Sequence, residues 1–180
     1  MAEEQNQDQA AASEGAATAQ FLIQKLYTKD VSFESPNAPA VFQDNGQADV
    51  KMSLSQRVEE IGEDLQEVVL TVTVTATIDE KTAYLVEVAQ AGIFLIAGFE
   101  EQAKHALVNT MCPNTLFPYS RQAIATLVSD GGFPPLTLQP VNFEQLYAQR
   151  MQQMMEEQQA AGGEGNGEDA VTEAVFENEN

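Results

Sequence analysis

Hydrophobic and polar residues alternate most regularly between residues 68 and 78. Side chains of successive residues in a β-strand point to opposite faces of the sheet, so a period of two predicts a strand that is buried on one face. Here one face is apolar, and the other carries Val69 and the four threonines Thr71, Thr73, Thr75 and Thr77. The apolar face consists of Val68, Leu70, Val72, Val74, Ala76 and Ile78.

Three other segments have strand character. Residues 21–33 are rich in β-branched and aromatic residues and end at a Pro- and Asn-containing loop signature, residues 35–39. A second strand carries its apolar residues at alternate positions, and a third, residues 81–96, follows a predicted hairpin tip at Asp79–Glu80. Short turns between neighbouring strands predict an antiparallel sheet. The apolar residues of the second strand are Val50, Met52 and Leu54.

Helical spacing appears only in the second half of the chain. Residues 100–111 are predicted to form a helix that Cys112–Pro113 ends, and residues 120–130 a helix that Gly131–Gly132 ends. Asn142 is a favourable N-cap for a third helix. Strands followed by helices predict an α+β domain, with a four-stranded antiparallel sheet and helices packed on one face.

The predicted strand at residues 81–96 is apolar on both faces. Tyr84, Val86 and Val88 lie on one face, and Leu85 and Ile93 on the other. A single helical layer covers only one face of a sheet, so the second face is expected to meet another copy of the chain. The sequence thus predicts an oligomer.

Charge is concentrated at the two ends. The formal net charge is −20, and residues 1–19 and 156–180 contribute twelve acids and no base, which leaves −8 between them. Such a surface repels phosphate and disfavours nucleic acid and anionic membranes as partners. We expect an acidic disordered tail at residues 1–19, an α+β domain at residues 20–158 and an acidic disordered tail at residues 159–180.

The side chains with reactive chemistry are few. His105 and Cys112 are the single histidine and the single cysteine, and neither has the partners of a catalytic site, so both are expected to be packing or surface residues. The acid pairs Glu59–Glu60 and Glu63–Asp64 are expected to lie in a solvated loop. No enzyme, metal or cofactor signature emerges. One cysteine and no signal peptide or membrane span predict a cytoplasmic protein.

The methionines at the end of the third predicted helix allow two interpretations. Met151, Met154 and Met155 could form an adaptable face for a partner, or they could be ordinary packing residues before the helix frays. The residues alone do not decide between the two.

Three ordered segments carry a specific resemblance. YTKDVSFESPNAP (residues 27–39), CPNTLFPYSRQAI (residues 112–124) and GGFPPLTLQPVNF (residues 131–143) resemble signature stretches of the bacterial protein-export chaperone family SecB. The similarity runs from about residue 20 to about residue 155. It implies an ATP-independent chaperone that assembles as a homotetramer, a dimer of dimers. It also implies that the protein keeps precursor polypeptides unfolded and delivers them to the SecA ATPase.

The resemblance also assigns binding residues. Asp30, Glu34, Leu85 and Glu87 match an acidic surface on the outer sheet face at which the family binds the basic, zinc-bearing segment of SecA. Three positions on the opposite face of the same strand match tetramer-assembly positions. They are Val86, Val88 and Gln90.

Client contacts are proposed by similarity in the second strand and in the segment before the third helix. A chaperone of this type needs long apolar grooves and exposed backbone that accept many sequences. Ordinary core packing explains the same residues equally well. The proposed residues are Val50, Met52, Leu54, Phe133, Leu136 and Leu138.

Three other functions stay open at this point. A SecB-like chaperone could serve a dedicated client such as an antitoxin. An enzymatic or small-molecule-binding domain would need a closed pocket with convergent polar groups. A structural scaffold would have no preference for non-native polypeptide.

Overall fold

The computed structural model describes residues 19–160 and 172–176. In these residues one antiparallel sheet carries three α-helices. A short 3-10 helix, Ala40–Gln43, precedes the second strand. In chain order the elements are β1 (Gln20–Glu34), β2 (Asp49–Gly62), β3 (Leu65–Ile78), β4 (Lys81–Ala97), α1 (Glu101–Asn109), α2 (Met111–Asp130), α3 (Phe143–Ala160) and β5 (Thr172–Phe176).

The strand order across the sheet is β1-β4-β3-β2-β5, and all neighbours are antiparallel. The turn between β3 and β4 is formed by Asp79 and Glu80, both with positive φ (48° and 65°). Two consecutive residues of this kind make the tight turn whose twist matches a right-handed hairpin. The predicted hairpin tip and the predicted α+β class with its four strands are confirmed.

A fifth strand lies within a segment that was assigned to a tail, while the predicted division into one domain and two tails stays a prediction. β5 comes from the segment 159–180, which was predicted to be a disordered tail, and it pairs with the edge of β2. The last two residues of α3 also fall in that segment. Residues 161–171 and 177–180, and residues 1–18 of the predicted N-terminal tail, lie outside the described residues.

The hydrophobic core lies between the inner face of the sheet and α2. The even-numbered apolar residues of β3 from 68 to 76 are fully buried, as the alternation predicts. Even-numbered residues of β4 complete the sheet side of the core, and α2 supplies the opposing side chains. Those of α2 are Cys112, Leu116, Phe117, Ile124 and Val128.

Two predicted boundaries are wrong. Cys112 and Pro113 do not end a helix but lie in the first turn of α2, which starts nine positions before the predicted Ser120. Proline is tolerated there because an N–H in the first turn has no partner within the helix. Glu59 and Glu60 lie in β2 rather than in a loop, because β2 continues as an exposed strand to Gly62.

Two residues that were predicted to mark helix ends are confirmed in that role. The backbone N–H of Gln145 donates to Asn142 Oδ1 at 3.0 Å, so Asn142 caps α3. α2 ends at Asp130, directly before Gly131. A Cβ at Gly131 would lie 2.1 Å from the ring of Phe33, so the close contact between the end of α2 and β1 requires glycine.

Candidate functional site

A groove of about 1050 Å³ lies between the start of β2 and the segment that leads into α3. Its apolar lining includes Val50 and Met52 from β2 and Leu136 and Leu138 from the segment between α2 and α3. These are four of the six residues predicted to contact clients. Amide side chains complete the wall, a feature that the pattern of apolar residues did not indicate. They are Gln47, Gln139, Asn142, Gln145 and Gln149.

The other two predicted client residues lie elsewhere. Leu54 is buried in the core. Phe133 belongs to an aromatic cluster, with its ring centroid 4.9 Å from Tyr84 and 5.1 Å from Phe42. Phe42 is half exposed, so this cluster reaches the surface. The cluster fixes the start of the segment whose later residues, Leu136 and Leu138, line the groove.

The α3 wall of the groove is held at two places. Asn142 caps the helix, and Leu146 in its first turns is packed against the core and lines the groove. At the next residue, Tyr147 Oη lies 3.0 Å from Nδ1 of His105 on α1. His105 therefore joins two helices at the surface, in agreement with the packing role predicted for it.

The outer face of the sheet brings the four predicted SecA-binding residues together. In the β1–β4 pairing Glu34 lies opposite Leu85, and Asp30 lies opposite Ala89. Directly opposed residues in an antiparallel pair share a face, so Asp30, Glu34, Leu85 and Glu87 lie on one surface. Asp30 and Glu34 are exposed, whereas Leu85 and Glu87 are partly buried.

Glu87 is oriented by a threonine of the neighbouring strand. Thr73 lies opposite Glu87 in the β3–β4 pairing, and its Oγ1 donates to Glu87 Oε2 at 2.8 Å. The threonine-rich face of β3 thus positions an acid of the predicted binding surface. Its alternation was visible in the sequence, but the pairing with β4 was needed to connect the two residues.

A buried carboxylate cluster on the same outer face was not predicted. Glu67 on β3 is buried and receives hydrogen bonds from Tyr27 Oη and from Lys29 Nζ, the latter at 2.8 and 2.6 Å. Arg57 Nη2 lies 3.9 Å from Glu67 Oε2. Tyr27 and Lys29 reach Glu67 from β1 across β4, where the intervening residue Ala91 is small.

The hydrogen bonds shift the acidity of this cluster. The bond from Lys29, followed by that from Tyr27, lowers the pKa of Glu67, while burial opposes the shift. The same bond to Glu67, together with burial, raises the pKa of Tyr27 to about 12. The cluster therefore joins the Glu67 carboxylate to the Lys29 and Arg57 side chains and to a phenol that keeps its proton at neutral pH. It ties β1 to β3 and supplies no free acid or base for catalysis.

The residues predicted for oligomer assembly lie inside this chain. Val86 and Val88 are both 0% exposed and Gln90 is 4% exposed, on the inner sheet face. Gln90 Oε1 accepts a hydrogen bond from Thr28 Oγ1 at 3.2 Å. They form no open surface in this chain, so their role in assembly stays a prediction. Such a role would have to be indirect, through the packing of the helical layer that covers them.

Cys112 is buried in the core, and burial raises the pKa of its thiol to about 12. A thiol in this environment is protonated at neutral pH and is a poor nucleophile.

Within residues 19–160 and 172–176, no group of three potential metal ligands occurs. None of the helices in these ranges is long and apolar enough to cross a membrane. The methionines Met154 and Met155 on α3 are 47% and 57% exposed.

Comparison with known proteins gives a consistent result. A family model described as "Preprotein translocase subunit SecB" matches residues 14–154. The protein-export protein SecB of Methylococcus capsulatus is 53% identical over 79% of this chain and 92% of its own length. The SecB of Stenotrophomonas maltophilia is 48% identical over 87% of this chain and 91% of its own length.

The fold is similar to that of a solved structure. It is a SecB-like chaperone of Mycobacterium tuberculosis in complex with a peptide from an antitoxin. The TM-score is 0.58 at 16% identity, over 67% of this chain and 90% of that chain. At this identity the similarity concerns the fold alone.

Proposed function

Because the chain belongs to the SecB family, we propose that it is a protein-export chaperone that binds non-native precursor polypeptides without ATP and passes them to the SecA translocation ATPase. The observation that carries this proposal is the open groove lined by Val50, Met52, Leu136 and Leu138. An open groove with apolar and amide walls suits an extended polypeptide of variable sequence better than one small ligand.

The chemistry of the groove accounts for broad client recognition. Apolar side chains gain about 25 cal/mol for each Å² that a client removes from water, regardless of the order of its residues. The amides of Gln139, Gln145 and Gln149 can each donate to or accept from a client backbone. Neither contact selects a particular sequence, whereas a folded client has already buried the groups that both require.

The proposed SecA surface lies on the other side of the sheet. Val50 and Met52 lie opposite Ala76 and Val74 of the buried inner face. Glu34 and Leu85 belong to the outer face. A basic segment of SecA could therefore bind the outer face while a client occupies the groove. Such a geometry permits transfer without prior release of the client.

We also propose that the chain acts in the cytoplasm as a homotetramer, a dimer of dimers. Two separate apolar surfaces support the assembly. β1 ends the sheet, and its residues Ile23 and Val31, which share the inner face, are about half exposed. On α2, Met111 and Tyr119 are similarly exposed. Two different self-contacts are what a dimer of dimers requires.

Light scattering tests the chaperone function. A slow-folding precursor is diluted from denaturant with and without the protein, in the absence of nucleotide. We expect suppressed aggregation at about one tetramer per client, and equal affinity for the folded and the unfolded precursor would refute the proposal. A role restricted to one dedicated client such as an antitoxin has weaker support, because the solved structure that suggests it is 16% identical to this chain and shows the fold alone.

A further inference from the structure

The edge of β2 that does not pair with β3 is occupied by a distant segment of the same chain. β2 pairs with β3 on one side and with β5 on the other, in a register that runs from Met52 opposite Phe176 to Gln56 opposite Thr172. Met52 also lines the groove. The strand edge that holds β5 is therefore continuous with the proposed client groove.

We propose that residues 172–176 act as an internal competitor for this edge, which clients occupy by adding an extended strand. The inference rests on the proposed function. A strand edge presents N–H and C=O groups to any extended backbone, so pairing alone does not distinguish the chain's own segment from a client. Displacement of β5 opens this edge to the client.

The segment has the chemistry of a weak client. Ala174 and Phe176 are in register with the apolar residues Leu54 and Met52, whereas Glu173 and Val175 are in register with Ser55 and Ser53. The pairing covers five residues and only one side of β5. A strand this short, with one neighbour, contributes little stability and can be displaced.

The connection to α3 makes competition effective. Eleven residues, 161–171, separate Ala160 at the end of α3 from Thr172. A stretch of eleven residues spans at most about 40 Å, so the segment cannot leave the neighbourhood of β2 and competes within one molecule. The segment can therefore occupy the edge in the absence of clients and still yield to a client that also fills the groove.

The test compares Ala174→Pro in the full-length chain with Gly165→Pro, a matched control in the connecting segment. Proline in the centre of β5 removes an N–H and restricts the backbone, which disrupts a five-residue pairing. Without any client, we expect faster hydrogen exchange at those amides of the segment from Met52 to Gln56 that point to β5. Gly165→Pro is expected to exchange like the wild type.

The second readout is affinity for a permanently unfolded, fluorophore-labelled polypeptide. When β5 occupies the edge for part of the time, the apparent affinity for the client falls in proportion to the fraction of molecules whose edge is open. Ala174→Pro and a chain truncated after Ala160 should therefore bind the polypeptide about threefold to tenfold more tightly than the wild type. Added peptide 171–180 should reverse the gain in the truncated chain. Unaltered exchange in Ala174→Pro would overturn the pairing, and altered exchange with unchanged or weaker affinity would overturn the competition. If no form of the protein bound the client, the proposed function would be overturned as well. That outcome can be distinguished from a failure of the pairing, because hydrogen exchange is measured without client.

Discussion

Glu34 and Leu85 are direct cross-strand partners in the pairing of β1 with β4. Their Cβ atoms are therefore about 5 Å apart on the outer sheet face, and a carboxylate and an apolar side chain are presented together. One register step further, Glu87 lies opposite Ser32 and accepts the hydrogen bond from Thr73. This mixed acidic and apolar surface is complementary to a basic segment with apolar residues.

Charge reversal on this surface should separate partner binding from client holding. We expect Glu34→Lys combined with Glu87→Lys to weaken SecA affinity by about thirtyfold or more, because two favourable charge contacts become repulsive. Titration calorimetry with SecA measures the effect, and client affinity should stay unchanged. The control reverses Glu144 and Glu157 on the exposed surface of α3, and an equal loss in that control would indicate a general effect of net charge.

The groove makes the complementary prediction. Leu136→Ser removes an apolar side chain that a client would cover, so client affinity should fall about tenfold to a hundredfold. Fluorescence anisotropy with an unfolded polypeptide measures the loss. Met155→Ser removes a comparable apolar side chain that is already 57% exposed on α3 and should have little effect. Equal affinities for the two variants would argue against the groove as the client site.

Thermal unfolding of the same two variants shows whether the loss of client affinity is caused by loss of the folded structure. Leu136 also packs against the core, so its loss is expected to lower stability by about 1–2 kcal/mol without unfolding the chain. Intact SecA binding by Leu136→Ser would demonstrate that the outer sheet face is unaffected.

The strands could be predicted from the sequence because burial on one face leaves a period of two. Val68 to Ala76 and the turn at Asp79–Glu80 are local signals, and the structure confirms both. The start of α2 could not be predicted, because a proline is equally compatible with the first turn of a helix and with the position after a helix end. Tertiary packing against β4 decides which of these forms.

Long-range relations account for the remaining differences. Glu67 has the local sequence of an ordinary strand acid, and its partners Tyr27 and Lys29 are about forty positions away. β5 was missed because a five-residue strand gains most of its pairing energy from the edge of β2 rather than from its own sequence. The groove residues Val50 and Met52 could be predicted as apolar and alternating, but only the position of α3 distinguishes a groove wall from core.

The buried carboxylate at Glu67 should make stability depend on pH. Its pKa is lowered in the folded protein, chiefly by the hydrogen bond from Lys29. A lowered folded-state pKa stabilises the protein above the unfolded-state value of about 4.5, and this contribution is lost as the pH falls through the folded-state pKa. Wild-type stability should therefore decline below about pH 4.5.

Glu67→Gln tests this assignment. The amide keeps the shape but loses the charge, so the free energy of unfolding at pH 7 should fall by about 1–3 kcal/mol. Urea unfolding from pH 7 to pH 3 should then show a smaller decline for the variant than for the wild type. Glu34→Gln, an exposed acid on the same face, should retain the wild-type pH profile; a profile as shallow as that of Glu67→Gln would assign the dependence to surface charge in general.

The cap of α3 links helix stability to the groove. Asn142→Ala removes the acceptor for the backbone N–H of Gln145 and should lower the free energy of unfolding by about 1 kcal/mol. Gln145 and Leu146 line the groove, so fraying of this first turn should also weaken client binding, by about twofold to fivefold. Hydrogen exchange in the first turn of α3 and client anisotropy measure the two effects. Asn142→Asp keeps an oxygen acceptor at the cap and should restore both, since a carboxylate is also favourable at a helix N-terminus. If Asn142→Asp lost client affinity as Asn142→Ala does while the exchange of α3 returned to normal, the asparagine would act through its own contact with the client rather than through the helix.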